Sequence, residues 1–146
     1  MEYKKWVESV PSEITGDSLW NVKAYRMAMY MAEIGWQDVS IMASDRRLLG
    51  LSDQLYRALG SISANIAEGY SRSTGMDRAR FYEYALGSAR EARDWYYKSR
   101  RKLGEETVGI RIEFLSQIIR MLLVTIPQQR SANIRECEKG YEVSRF

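Results

Sequence analysis

Residues 74–104, TGMDRARFYEYALGSAREARDWYYKSRRKLG, carry the pattern that decides the fold. Thr74 with Asp77 three residues later has the form of a capping box in which Asp stands for Glu. Small or apolar residues then recur every three or four positions, at Phe81, Ala85, Ser88, Ala92, Trp95, Ser99 and Leu103, which predicts one amphipathic helix over 74–103. Gly104 suits the C′ position that ends it. At about 100° per residue, Arg90, Arg93, Arg100, Arg101, Tyr82 and Tyr97 fall on the face opposite that stripe, and Lys98 and Lys102 thicken the cluster at its end.

Working outward, Pro11 and Pro127 are the only prolines, so the chain between them lacks the strongest helix breaker. Gly16, Asp17 and Ser18 form a turn and cap, followed by a stripe at Trp20, Val22, Tyr25, Met29, Ala32, Trp36 and Val39, which predicts a helix over 18–43. Ser52 is a candidate N-cap with Leu51 and Tyr56 as a hydrophobic staple, and Leu55, Leu59, Ile62 and Ile66 continue a helix over 52–70. After Gly104, Glu105 and Glu106 open a fourth helix through Val108, Ile112, Leu115, Ile119, Leu122 and Ile126, expected to stop before Pro127. Four helices with short joins make an all-α, antiparallel up-down-up-down four-helix bundle the simplest packing. The expected organisation is an N-terminal arm over 1–17, a bundle domain over 18–130 and a C-terminal tail over 131–146. Tyr3, Trp6, Tyr141 and Phe146 are candidates to dock on something from the two ends.

The chain of 146 residues has no His and one Cys, Cys137. That removes His-based triads, the common zinc sites and intramolecular disulfides, and makes a reducing compartment, the cytoplasm, the expected location. The N-terminus reads as neither a signal peptide nor a membrane span. No phosphate-binding glycine loop is present, and no constellation calls for a cofactor, a metal or catalysis, so a non-enzyme is expected.

Net charge is +3, and residues 70–103 hold 9 basic against 4 acidic side chains, so the whole excess lies in this one segment. Cations interleaved with aromatic rings suit RNA or DNA, because they displace counterions from phosphates while rings stack on unpaired bases. Arg90, Arg93, Tyr97, Lys98, Arg100, Arg101 and Lys102 are the candidate nucleic-acid contacts, with Tyr82 a second possible stacking group. The competing reading is a solvated face in which Arg90 pairs with Asp94 and the terminal cations complement the helix dipole. The runs MAMYMAEIGW (27–36) and IIRMLLVTI (118–126) each contain a single charge, more apolar surface than one core stripe uses. Self-association is the favoured explanation, and recruitment of a protein partner by those faces is the alternative function.

Asn65 and Glu68 lie one helical turn apart beside the apolar stripe and are expected to form a buried hydrogen-bond network that fixes helix register. Gly69 is expected to end its helix or let it pass close to a neighbour. Ser63, Ser88 and Ser99 read as small core or interface positions rather than nucleophiles.

SISANIAEGYSRS (61–73) and FYEYALGSAREA (81–92) together resemble the four-helix bundle proteins encoded in intervening sequences of 23S ribosomal RNA genes. That family shows Ser-Ile-Pro-Ala-Asn-Ile-Ala-Glu-Gly in its second helix and Ala-x-Gly-Ser-x-x-Glu in its third. Ser61, Ile62, Ala64, Asn65, Ile66, Ala67, Glu68 and Gly69 match the first, and Ala85, Gly87, Ser88 and Glu91 the second. Ser63 stands where the family usually has Pro, which restores a backbone donor to the helix. The resemblance covers about residues 18–127. It implies an up-down-up-down bundle assembling as a ring-like homopentamer, without catalytic residues, in which Asn65, Glu68, Gly69, Gly87 and Ser88 are structural. The accessory variability proteins of diversity-generating retroelements are more distantly similar. They share the pentameric bundle and bind nucleic acid and a reverse transcriptase, which makes a reverse transcriptase or similar enzyme a candidate partner.

Overall fold

The computed structural model describes the backbone of residues 1–143 and the side chains of residues 1–132. Among the described residues the protein is all-α, with no strand. Its helices are α1 (Tyr3–Ser9), α2 (Ser12–Thr15), α3 (Lys23–Ala43), α4 (Leu49–Tyr70), α5 (Gly75–Lys98), α6 (Arg100–Leu103) and α7 (Glu105–Val143). The α5 helix packs along both α4 and α7, α3 packs along α4, and a smaller contact joins α3 to α7. One buried cluster runs through all four long helices, centred on Met31, Met42, Leu55, Leu59, Ile62, Ile66, Tyr96, Leu115 and Ile118.

The starts and stops follow local chemistry. Thr74 Oγ1 accepts from the Asp77 amide at 3.2 Å, the backbone half of the expected capping box. Gly104 adopts φ +90°, where a side chain would clash, and so separates α6 from α7. Asp17 accepts from the Leu19 amide at 2.9 Å, but it caps a 3₁₀ turn over Ser18–Asn21, and extended Val22 delays α3 to Lys23. Ser52 is not the cap of the second long helix. Asp45 accepts from the Arg47 amide, opening a 3₁₀ turn that runs into α4 at Leu49, and the Ser52 hydroxyl instead donates to the Leu49 carbonyl.

One boundary differs from expectation at the C-terminal end. The α7 helix passes through Pro127, so the expected tail boundary at 130 falls inside it. Proline removes the amide that would have bonded the Leu123 carbonyl, at a position where the helix is exposed. At the other end, residues of the expected arm dock: Trp6 is only 5% exposed, set among the rings of Tyr3, Trp20 and Tyr30, with Phe114 of α7 against Tyr30. Tyr30 Oη also donates to the Met1 carbonyl at 2.7 Å. Cys137, Tyr141 and Phe146 lie outside the described side chains.

The core stripe of α5 is rotated from the one expected. Ala79, Tyr82, Ala85, Ala89, Ala92, Tyr96 and Ser99 are buried, while Phe81, Ser88 and Trp95 lie half-buried at its margin. Alanines leave room for α4 and α7 beside α5, Tyr82 and Tyr96 fill the core between them, and the Phe81 and Trp95 rings lie on the flanks. The α4 helix contributes to the same closeness at Gly69, where an added Cβ would lie 2.8 Å from the Tyr82 ring and 3.0 Å from Phe81 Cβ. Gly69→Ala therefore lowers the free energy of unfolding by about 1–3 kcal/mol despite its better helix propensity. The check is a urea midpoint, and a midpoint at or above that of the native chain would show that the Tyr82 ring yields freely.

Candidate nucleic-acid interface

The basic residues of the α5 segment divide into engaged and free groups. At its start Arg72 pairs with Glu68 at 3.0 Å, Arg80 with Asp77 at 3.8 Å, and both guanidiniums lie over the Phe81 ring. Arg78 Nε donates to Gln129 Oε1 at 2.7 Å, and Arg130 of α7 pairs with Glu83. Towards the other end Arg90, Arg101 and Lys102 are exposed and make no ion pair among the described residues. Asp94 takes Lys98 at 2.7 Å rather than Arg90, so the Arg90–Asp94 pair of the competing solvated-face reading does not form.

Tyr97 is 54% exposed beside these cations, and the Arg100 guanidinium lies 4.2 Å from its ring centre while donating to the Tyr97 carbonyl at 3.1 Å. A stacked guanidinium presents a flat, cationic ledge to a base or a phosphate. The chain turns at Ser99, whose buried hydroxyl donates back to the Trp95 carbonyl at 2.8 Å, and this break sends Arg100, Arg101 and Lys102 into the separate turn α6. Tyr97, Arg90, Arg93, Asp94 and Ile112 line a shallow depression of about 410 Å³ between α5 and α7.

Of two further residues expected on this face, one is buried away from it and the other lines its depression with its head tied down. Tyr82 is 4% exposed and packs on Gly69, so it cannot stack on a ligand; burial raises its phenol pKa above the usual range. Arg93 is half-buried and donates to Ser116 Oγ at 3.2 Å, which ties its head to α7.

The residues expected to hold the bundle are also redistributed. Glu68 is exposed and pairs with Arg72 just past the end of its helix, and half-buried Asn65 donates to the Ser61 carbonyl of its own helix at 2.8 Å. Neither joins a buried network, because the α4 face they share points past the core. Gly87 is exposed, with nothing within 4 Å of an added Cβ, so the chain's own packing gives it no structural role, and Ser88 is half-buried.

The buried network instead joins Asp38 of α3, Tyr96 of α5 and Arg111 of α7. Tyr96 Oη donates to Asp38 Oδ2 at 2.7 Å, Arg111 Nε to the same oxygen at 2.7 Å, and Arg111 Nη2 to Oδ1 at 3.3 Å. Sequence reasoning missed it. The available signal was a charge on each apolar stripe: Asp38 continues Met31, Gly35 and Met42, and Arg111 falls between Val108 and Leu115. Among the described residues no three His, Cys, Asp or Glu side chains are grouped to hold a metal ion. No helix of the described residues is long and apolar enough to cross a membrane.

Fold and surface together define an all-α protein of long packed helices with a cationic, partly aromatic end. The family model described as 23S rRNA-intervening sequence protein matches residues 21–123, and the chain belongs to that family. Among solved structures it is similar to a protein of unknown function from the S23 ribosomal protein family of Bacteroides thetaiotaomicron VPI-5482. The TM-score is 0.66 at 20% identity, over 70% of this chain and 97% of that one, a likeness of fold alone. None of the curated proteins matches the chain.

Proposed function

We propose that the chain is a non-enzymatic helical bundle that self-associates and binds RNA or other nucleic acid through the exposed end of α5 and the turn α6. Consecutive long helices packed through short joins, with α3 returning to α7, support an antiparallel up-down-up-down arrangement. Trp36 at 63% exposure and Val124 at 59%, with Ile41, Ile110 and Leu123 also exposed, support association between copies, in the homopentamer that the family resemblance implies.

The observation that carries the nucleic-acid reading is the exposed Tyr97 ring under the half-buried Arg100 guanidinium, beside Arg90, Arg101 and Lys102, which form no ion pair among the described residues. Titrating fluorescently labelled single-stranded RNA at low salt tests it. Tyr97→Ala weakens binding about 5- to 100-fold, the worth of one stacked base, and leaves the helical circular dichroism unchanged. Undiminished affinity in that variant would remove Tyr97 from the contact surface.

The second reading is a protein–protein adaptor, for example an accessory subunit of a reverse transcriptase. Its support is the exposed Trp36 ring, packed edge-on against Tyr56 at 5.5 Å between centroids and available to a partner. Binding through such an apolar face would be nearly insensitive to salt, which separates the two readings.

A further inference from the structure

Where the α3–α4 turn meets the break between α5 and α6, a cleft of about 380 Å³ opens. It lies within the size range of small-molecule sites, about 300–1,000 Å³. Arg47 and Leu48 form one wall, and Lys98, Arg101 and Lys102 the other. Buried Ser99 also lines the cleft. Asp45 is the one carboxylate in the lining, and it is occupied: Arg47 donates to it from its amide at 3.0 Å, Nε at 3.1 Å and Nη2 at 2.8 Å. Those bonds hold the Asp45 carboxyl at about 2, well below the usual range, with Lys102 adding a smaller pull, so it stays ionised and paired at neutral pH.

Charge then selects the ligand. Four cations line the cleft, while Asp45 is paired with Arg47 and Asp94 with Lys98, which leaves an excess of positive charge on Arg101 and Lys102, neither of them in an ion pair among the described residues. A phosphate diester brings one negative charge, whereas a phosphate monoester near neutral pH brings between about 1.5 and 2. Concave walls from two chain segments also suit the end of a strand better than its continuous backbone, and Leu48 in the lining offers an apolar surface to a sugar or base. Resting on the nucleic-acid reading above, we infer that this cleft holds a nucleoside phosphate monoester, presented by the terminus of a nucleic-acid strand or by a free mononucleotide.

The test compares one short RNA carrying a 5′-phosphate, a 3′-phosphate or hydroxyl ends, together with adenosine 5′-monophosphate alone, on the native chain, Arg47→Ala and Lys102→Ala. A phosphate at one of the ends raises affinity roughly 10- to 100-fold over the hydroxyl-ended strand, as expected for charge-assisted hydrogen bonds. Both substitutions abolish that gain. Equal binding of all three strands would overturn the cleft assignment while leaving the nucleic-acid reading standing. Mononucleotide binding without binding of any strand would keep the cleft and overturn that reading. Binding of neither would overturn both.

Discussion

Replacing Arg111 with Met lowers the stability of the fold by about 3–5 kcal/mol, the cost of stranding a buried carboxylate. Asp38 is 3% exposed and depends on Arg111 for two of its three hydrogen bonds; the third comes from Tyr96. Tyr96 cannot compensate. Burial, reinforced by the Asp38 charge, raises its phenol pKa far above the ordinary value, so it remains a neutral donor at any working pH. The double variant Asp38→Asn with Arg111→Met removes the stranded charge, keeps an acceptor for Tyr96 and regains most of the loss. Urea midpoints of the three chains check this. A single-variant loss under about 1 kcal/mol would show that water replaces the guanidinium.

Substituting Ala at Arg90, Arg101 and Lys102 together reduces affinity for single-stranded RNA about 100-fold at low salt and flattens the salt dependence. Each phosphate contact contributes about 0.7 to the log–log slope for single strands, so losing three lowers it by about 2. These three are chosen because they are exposed and unpaired, so no packing or ion pair is lost with them. Arg93 and Lys98 are left in place because each is tied within the fold, to Ser116 and Asp94. Unchanged affinity and slope would place any polyanion contact elsewhere on the molecule.

The long helices were legible because their apolar residues recur at helical spacing over several turns. The stripes on α4 and α7 were also nearly right: Leu55, Leu59, Ile62, Ile66, Val108, Leu115, Ile119, Leu122 and Ile126 are all buried. On α3 and α5 the aromatic residues misled. Trp36 and Trp95 look like core by hydrophobicity, yet the helices approach through Ala28, Gly35, Ala85, Ala89 and Ala92, and small residues give a weak hydropathy signal. That error carried Tyr82 to the outside and hid the register of Asp38. The cationic cluster was visible as composition. What distinguishes Arg101 and Lys102 from the paired Arg72 and Arg80 is three-dimensional: Glu105 and Glu106 stand at the same spacing from the former, but the helix breaks at Gly104 between them and no ion pair forms among the described residues. Arg47 could not be joined to the cluster from sequence at all, because it reaches the cleft across more than fifty residues of chain.

The central claim, that the cationic end of α5 and α6 holds nucleic acid, is tested most directly by titrating the native chain with single-stranded RNA between about 50 and 200 mM salt. The account predicts measurable binding at the low end and a steep, linear fall of log affinity with log salt. Absence of binding at the lowest salt, or an affinity that salt does not change, would contradict it.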